Sequence, residues 1–481
     1  MTKNQRLEES QRTMKSGDRW IWGFYICLCI ISLIEAYSAS SQEILTQGLF
    51  KPFIKHFVTL GLGFGLLFYL QKKHYQTYIR WILPFTLLTI ACLILVYFIG
   101  ENVNGAQRAI PLGPFTLQPA EMAKLATALQ VSWIVAKHQI AGGVSNKGMW
   151  YSIIVVTIFA VLLFMQGFTN TVIMMAISVG IMIVGGIKVS KLILVGLMYA
   201  LIGGGLFAYK THSDDKAELM EIASLELRLN QNDFRDQLQR DSALARLGEL
   251  QIKQGLIDEA PQTNAAHSSI TTGNTKGVGR SSTWKKRIER FIANHDSLLY
   301  KPLNSENQQE MYAHFAQAHG GIIGAGPGGS RECSRLPLAF SDYIYSIIVE
   351  ETGFIGGVIV LMIYLWLLIR AGIIAGQCQR AFPALLIIGM AMMITFQALI
   401  HMAINTGLFP VSGQPLPLIS KGGTSILIIS AGFGIMLSVS RHAGETLFAK
   451  ASRKASDEGI DTSLDAANPT QWSDDNNNTS E

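Results

Sequence analysis

The chain has 481 residues, 49% of them hydrophobic and only 15% charged, with a mean hydropathy of +0.29. Soluble domains carry about 25% charged residues, so this composition excludes an ordinary globular enzyme and points to a polytopic membrane protein. A net charge of +5 is spread too thinly for a nucleic-acid partner, and five cysteines without metal-ligand spacing exclude a disulfide framework and a zinc site.

Residues 1–19 are polar and basic, and the apolar run that follows has no small-residue cleavage site, so it reads as a signal anchor. Ten apolar runs follow in order, each near the length that crosses about 30 Å of hydrocarbon. They are Trp20–Tyr37, Phe53–Leu70, Trp81–Ile99, Ala120–Ala136, Trp150–Met165, Thr171–Ile187, Leu192–Ala208, Tyr343–Ile369, Ala384–His401 and Ser425–Ser440. Basic residues gather at the N-terminus (Lys3, Arg6, Arg12), in every second loop (Lys72, Lys73, Arg80; Lys137, Lys147; Lys188, Lys191; Arg370, Arg380) and after the last run (Arg441, Lys450, Arg453). Positive charge marks the cytoplasmic side. The expected fold class is an all-α polytopic membrane protein of about ten transmembrane helices, N-in and C-in.

The domain plan follows from those runs. Residues 1–19 form a cytoplasmic tail, 20–208 carry helices one to seven, and 209–342 form a large extracytoplasmic loop. Residues 343–441 carry helices eight to ten, and 442–481 form a disordered cytoplasmic tail. Within the large loop, Ile222, Leu225 and Leu229, then Leu244, Leu247 and Leu250, give helical spacing across 214–257. That insert reads either as a solvated helical pair or as a surface for a membrane or partner. Residues 260–282 are rich in Thr, Ser, Asn and Gly and read as a linker. Trp284–Asn294 is basic and suited to anionic headgroups.

Chemistry gathers on the outer side. Asp342 lies where the polar Leu336–Ser341 approach becomes an apolar helix, a costly place for a carboxylate and therefore a functional candidate. The alternative is that Ser341 or Asp342 caps the helix start. In Asn104–Lys124, Pro119 suits a first helical turn, and Glu121 and Lys124 share a helix face. They form either a self-neutralising pair or, with Arg108, positive charge for a lipid-linked phosphate. Gly320–Ser330 lacks the Lys-Ser/Thr of a phosphate loop, leaving a tight loop that brings backbone close to a ligand or a helix. Pro410–Ser425 holds three prolines and three glycines, so it forms irregular backbone walling a polar cavity near Asp342, with Ser420 and Lys421 in it. Lys421 adds charge there or snorkels. Glu35, Gln166, Asn170, Gln397 and Asn405 are expected to make interhelical hydrogen bonds. Glu350 and Glu351 straddle a helix, so at most one faces Asp342.

Taken together, the motifs resemble the SEDS family of bacterial peptidoglycan polymerases. The matching pieces are Asn104-Gly-Ala with Arg108, Gln118-Pro-Ala-Glu with Lys124, the Gly320–Gly328 loop, Ser341-Asp-Tyr-Ile with Glu350-Glu-Thr-Gly353, and Gly407-Leu-Phe-Pro with Pro415-Leu-Pro-Leu-Ile-Ser and Gly422-Gly-Thr-Ser425. The resemblance covers the chain from Tyr37 to about Arg441 without the insert. It implies a glycosyltransferase polymerising lipid II at the outer face of the cytoplasmic (inner) membrane, with a septal role in cell division preferred over elongation. It further implies Asp342 as general base on the acceptor hydroxyl, and Arg108, Glu121, Lys124, Ser420 and Lys421 around the substrate, with Glu351 and Gln397 behind them. No cofactor is certain; a divalent cation, Mg or Mn, is a candidate. The implied partners are lipid II, undecaprenyl-pyrophosphate-linked glycan, a class B penicillin-binding protein and other divisome proteins. A lipid II flippase is the alternative from another class, and a scaffold that only recruits a transpeptidase is a third. Four departures from the family pattern stand out. Phe340 replaces the usual His before Ser/Thr-Asp, Lys421 replaces Tyr, Gln166–Thr171 lacks the usual acids, and Ala109 stands where Trp is common.

Overall fold

The computed structural model describes residues 17–38, 50–103, 106–112, 115–140, 142–164, 166–197, 307–336 and 339–457, with scattered positions between 199 and 247. The chain divides into two compact units, one of Met1–Lys188 with Arg280–Glu481 and one of Val189–Gly279.

The first unit is helical. Its elements are α1 (Arg19–Ser38), α2 (Phe50–Gln71), α3 (Tyr75–Ile99), α4 (Pro119–Lys137), α5 (Asn146–Phe164), α6 (Phe168–Val184), α7 (Gln308–Gly320), α8 (Ile344–Gln377), α9 (Ala381–Asn405) and α10 (Gly423–Asp457). Seven helices among the described residues are long and apolar enough to cross a membrane: α1, α2, α3, α5, α8, α9 and α10. The apolar α6 is shorter at 17 residues. Among the expected runs, Ala120–Ala136 becomes α4, whose mean hydropathy is lowered by Glu121, Lys124 and Lys137. The run Leu192–Ala208 is helical as far as it is described, to 197.

Three boundaries differ from expectation for local reasons. Helix α3 starts at Tyr75, six residues before Trp81, because His74 caps it: its Nδ1 accepts the Gln76 N–H at 3.1 Å. Helix α8 runs on to Gln377 and α10 to Asp457. Residues 442–457 are thus helical where an unstructured tail was expected, in keeping with their Ala, Lys, Glu and Arg content. The remaining tail lies outside the described residues.

The all-α expectation needs one correction. Residues 101–117 form a three-stranded antiparallel sheet, β1 (Glu101–Val103), β2 (Ala106–Leu112) and β3 (Phe115–Leu117), in the order β1-β2-β3. Val103 pairs with Ala106 and Leu112 with Phe115. Asn-Gly and Gly-Pro dipeptides stand between the paired strands, and such dipeptides are hairpin and turn signals. A two-residue ladder, β4 (Gln139–Ile140) with β5 (Gly143–Val144), follows α4.

Helices α4 and α9 form the centre: α4 packs on α3, α5, α6 and α9, and α9 on α6, α8 and α10. Most α4 side chains are buried, charges included. The peripheral helices turn large apolar side chains outward, as a lipid-facing surface does: Ile355, Ile359, Met362, Trp366, Ile369 and Ile373 line one face of α8. At one end, Asp18 joins three elements. Its carboxylate accepts the Trp20 and Ile21 N–H groups that open α1 and the Arg370 guanidinium of α8, and its own N–H donates to Ser440 Oγ of α10 at 3.0 Å.

In the second unit, residues 189–197 and 222–227 are helical. Ile222 is buried, and Leu225 and Leu229 are less exposed than Glu226 between them; Leu250 lies outside the described residues. The linker 260–282 and the basic stretch 284–294 lie outside the described residues.

Candidate functional site

Asp342 ends a single helical turn, Ala339–Asp342, and α8 begins two residues later. The N-cap of α8 falls on Tyr343, whose own side chain makes no capping hydrogen bond. Asp342 therefore stands one residue before the N-cap position of α8. Its Oδ1 accepts the Ser341 hydroxyl at 2.9 Å, and the residue is half-buried.

The backbone around Asp342 is held from two sides. From α9, Asn405 Nδ2 donates to the Asp342 carbonyl at 3.2 Å, while its Oδ1 accepts Ser346 N–H at 3.2 Å and Ser346 Oγ–H at 3.0 Å. Gln317 of α7 locks that contact by donating to the Asn405 carbonyl at 2.6 Å and Ser346 Oγ at 2.9 Å. From the proline-rich loop, Ser420 Oγ–H donates to the Ser341 carbonyl at 2.7 Å, and Lys421 N–H donates to the Phe340 carbonyl at 3.1 Å. Ser420 Oγ also accepts the Leu416 N–H at 2.7 Å. Its hydroxyl thus shapes the loop and fixes the segment before Asp342. The loop tolerates its turn through Leu418, whose φ of 64° is the one positive value among described non-glycine residues. Burial of Ser412, Gln414, Leu416, Leu418 and Ile419 agrees with irregular backbone enclosed by protein.

Glu121 and Lys124 enter the core on α4, where Pro119 occupies the first turn and Glu121 suits the positive end of the helix dipole. Lys124 is 1% exposed, and its Nζ donates to Glu121 Oε1 at 2.7 Å and to Gln397 Oε1 at 2.6 Å. Gln397 Nε2 passes the contact to the Pro415 carbonyl at 3.1 Å, and Ser425 Oγ reaches Glu121 Oε2 at 3.4 Å. The self-neutralising pair is therefore what is observed, extended by an amide into the loop beside Asp342. A cation buried this deeply is satisfied by its protein partners and meets no solvent. Arg108 lies on β2, and its side chain is outside the described atoms.

The glycine loop packs against a helix. Gly353 inside α8 has φ 73° and ψ −177°, which breaks the helical ladder. The loop fills the gap: Ala325 N–H donates to Glu350 O at 3.0 Å and Gly326 N–H to Glu351 O at 2.9 Å. In return Phe354 N–H donates to Gly321 O at 2.9 Å. A Cβ on Gly353 would stand 2.2 Å from Ile322 O and one on Gly324 2.3 Å from Glu351 O, so both positions require glycine. Of the two acids here, Glu350 is turned to the loop, accepting from Ser330 Oγ and from Arg331 N–H at 2.9 Å. Glu351 accepts the Ser38 hydroxyl of α1. Neither is bonded to Asp342 in this structure.

The sequence reading passed over two supports. Gln397, His401 and Asn405 recur every fourth residue along one face of α9, all at most 1% exposed, and carry polar contacts from Lys124 to Asp342. That i, i+4, i+8 spacing was legible and would have found His401, whose Nδ1 meets the Gln414 carbonyl at 2.6 Å. His56 of α2 had no such signal. Among the described residues no group of three or more His, Cys, Asp or Glu side chains is arranged to hold a metal ion. A Mg or Mn ion held between one carboxylate and a substrate pyrophosphate would not need such a group, and no step below is routed through one.

The cell cycle protein family model FtsW/RodA/SpoVE matches residues 18–217 and 270–445. A "Probable peptidoglycan glycosyltransferase FtsW" of Polynucleobacter necessarius is 26% identical over 90% of this chain and 88% of its own. One of the same name from Francisella salina is 28% identical over 76% of this chain and 73% of its own. Among solved structures, a chain from "Structural coordination of polymerization and crosslinking by a peptidoglycan synthase complex" superposes with a TM-score of 0.57 at 21% identity, over 89% of this chain and 98% of that one. The rod shape determining protein RodA of Thermus thermophilus superposes with a TM-score of 0.53 at 20% identity, over 88% and 96%. With its helical frame, its glycine-broken α8 and more than half its length matched by one family model, the chain belongs to the FtsW/RodA/SpoVE family of cell cycle proteins.

Proposed function

We propose that this protein is a peptidoglycan glycosyltransferase that polymerises lipid II into glycan strands, and that Asp342 is its general base. The observation that carries the reading is the placement of Asp342. The residue stands at the lip of an apolar helix, one position before its N-cap, with its carbonyl bonded by Asn405 and the preceding carbonyl of Ser341 by Ser420. A base held this way lies at the boundary where a lipid-linked sugar presents its hydroxyl.

In the proposed reaction the Asp342 carboxylate takes the proton from the 4-hydroxyl of the acceptor GlcNAc. That oxygen forms a bond to the anomeric carbon of the lipid-linked MurNAc, with inversion, and the bond to undecaprenyl pyrophosphate breaks. Arg108 and Lys421 are the cations assigned to the departing pyrophosphate. Lys124, being enclosed, acts through Glu121 and Gln397 to set the loop that bears Ser420 and Lys421. The chain spans the cytoplasmic membrane about ten times with both termini inside, and this site opens outward. A class B penicillin-binding protein and further divisome proteins are its partners, and the names of the curated relatives support division over elongation.

The test is lipid II polymerisation by the purified protein with its cognate transpeptidase. Wild type is expected to yield glycan ladders. Asp342→Ala should lose about 10²–10⁴-fold in rate while keeping its thermal transition, the range that positioned proton transfer contributes. Equal ladders would remove Asp342 as base. Absence of product from both, with lipid II crossing vesicles instead, would support the flippase.

A further inference from the structure

His56 lies on α2, is 3% exposed, and takes no part in the reaction described above. Its Nε2 is 2.7 Å from Ser32 Oγ of α1. The Ser32 hydroxyl has one hydrogen, which is directed to the Ile419 carbonyl at 3.2 Å. With that hydrogen on Ile419 O, the assignment that satisfies both contacts has Nε2–H donating to Ser32 Oγ. The ring's other neighbours are the segment before Asp342 and the loop that holds it. Phe340 packs edge-on against it, with centroids 5.3 Å apart at 60°, and the Lys421 ammonium is close enough to act on it electrostatically.

Following the bonds outward gives a continuous path. His56 N–H holds Ser32, and Ser32 O–H holds Ile419 O. The next two residues, Ser420 and Lys421, bond the carbonyls of Ser341 and Phe340. Of the departures near Asp342, Phe340 packs directly on this imidazole, and Lys421 bonds Phe340 through its backbone N–H. Resting on the polymerase reading, we propose that His56 is a positioning residue for Asp342. It clamps the Ile419–Lys421 strap through Ser32 and so fixes the depth and direction of the carboxylate. The imidazole that the sequence pattern leads one to expect at position 340 is supplied here from α2.

A side chain that merely fills space would be replaced equally well by any residue of similar volume, whereas a clamp needs the N–H. Full-length protein with its transpeptidase partner is compared as wild type, His56→Gln, His56→Met and Ser32→Ala. Two readouts are taken: lipid II polymerisation kinetics, and backbone hydrogen exchange of peptides covering 336–346 and 414–424. His56→Met and Ser32→Ala are expected to lower kcat by about 10- to 100-fold with KM unchanged, as displacement of a catalytic group by about 1 Å does. The same two variants should exchange faster at both peptides, whereas His56→Gln, which keeps a donor, should stay near wild type in both readouts. Wild-type kcat and exchange in His56→Met, or a His56→Gln as impaired as His56→Met, would overturn the proposal. Should His56→Met lose protection throughout the helices, Ser32→Ala carries the same expectations with the ring in place. If even wild type fails to polymerise, the polymerase reading falls and exchange alone decides the clamp: unchanged protection at 414–424 in Ser32→Ala would refute it.

Discussion

At the scale of single residues, Lys124 and Asp342 show two ways of keeping charge near hydrocarbon. Lys124 is enclosed, and its position is tolerable because Glu121 neutralises it and Gln397 accepts a second hydrogen bond. Removing the cation alone strands the carboxylate. Lys124→Met is therefore expected to cost about 3–5 kcal/mol, whereas the double change with Glu121→Gln should cost less, because no uncompensated charge is left. Thermal unfolding of the two variants in detergent checks this, and a double variant no better than the single one would show that the pair is not the cause. Asp342 is held differently: Asn405 bonds its carbonyl, and its half-buried carboxylate accepts the Ser341 hydroxyl. Ser420 supports the same segment through one hydroxyl, accepting from Leu416 N–H and donating to the Ser341 carbonyl.

Among the elements, α8 is decided by one residue. Its 34 residues would be an ordinary long apolar helix but for Gly353, where the chain leaves helical geometry and the glycine loop supplies the missing partners. Close approach in both directions leaves no room for a methyl group. Gly353→Ala is expected to destabilise by at least about 1–3 kcal/mol from the left-handed conformation alone, before the clash is counted. The loop 321–329 should also become a site of limited proteolysis in the folded protein. A resistant Gly353→Ala with an unchanged thermal transition would contradict the docking described. The loop's glycines were legible as tight backbone, but their partner, a break about thirty residues on, was not. Nor was the three-stranded sheet at 101–117, because its strands of three, seven and three residues are too short to show an alternating pattern.

For the whole molecule, coherence depends on bonds between residues hundreds of positions apart. Asp18 ties the start of α1 to Arg370 of α8 and to Ser440 within α10. Because Arg370 is partly exposed, its bond to Asp18 is screened, and Arg370→Met should cost only about 1–3 kcal/mol. The same variant should speed hydrogen exchange at the N-terminus of α1, where Asp18 also caps. Loss of protection confined to α8 would show that the three helices are not joined there. At the other end Ser38 reaches Glu351, and between them Lys124 reaches Gln397 across 273 positions.

The sequence by itself determined the membrane class, most of the apolar helices, the carboxylate at the lip of α8 and the set of polar segments around it. Those features follow from local composition and spacing, which hydrocarbon thickness and helix period make readable. Tertiary structure alone decided what each polar group does. Whether Lys124 meets a phosphate or a glutamate, and whether the glycine loop faces a ligand or a helix, depends on which helix lies opposite. No local pattern encodes that choice. His56 is the clearest case: an isolated histidine on an apolar helix acquires a role only once α1, α2 and the loop after α9 have folded together.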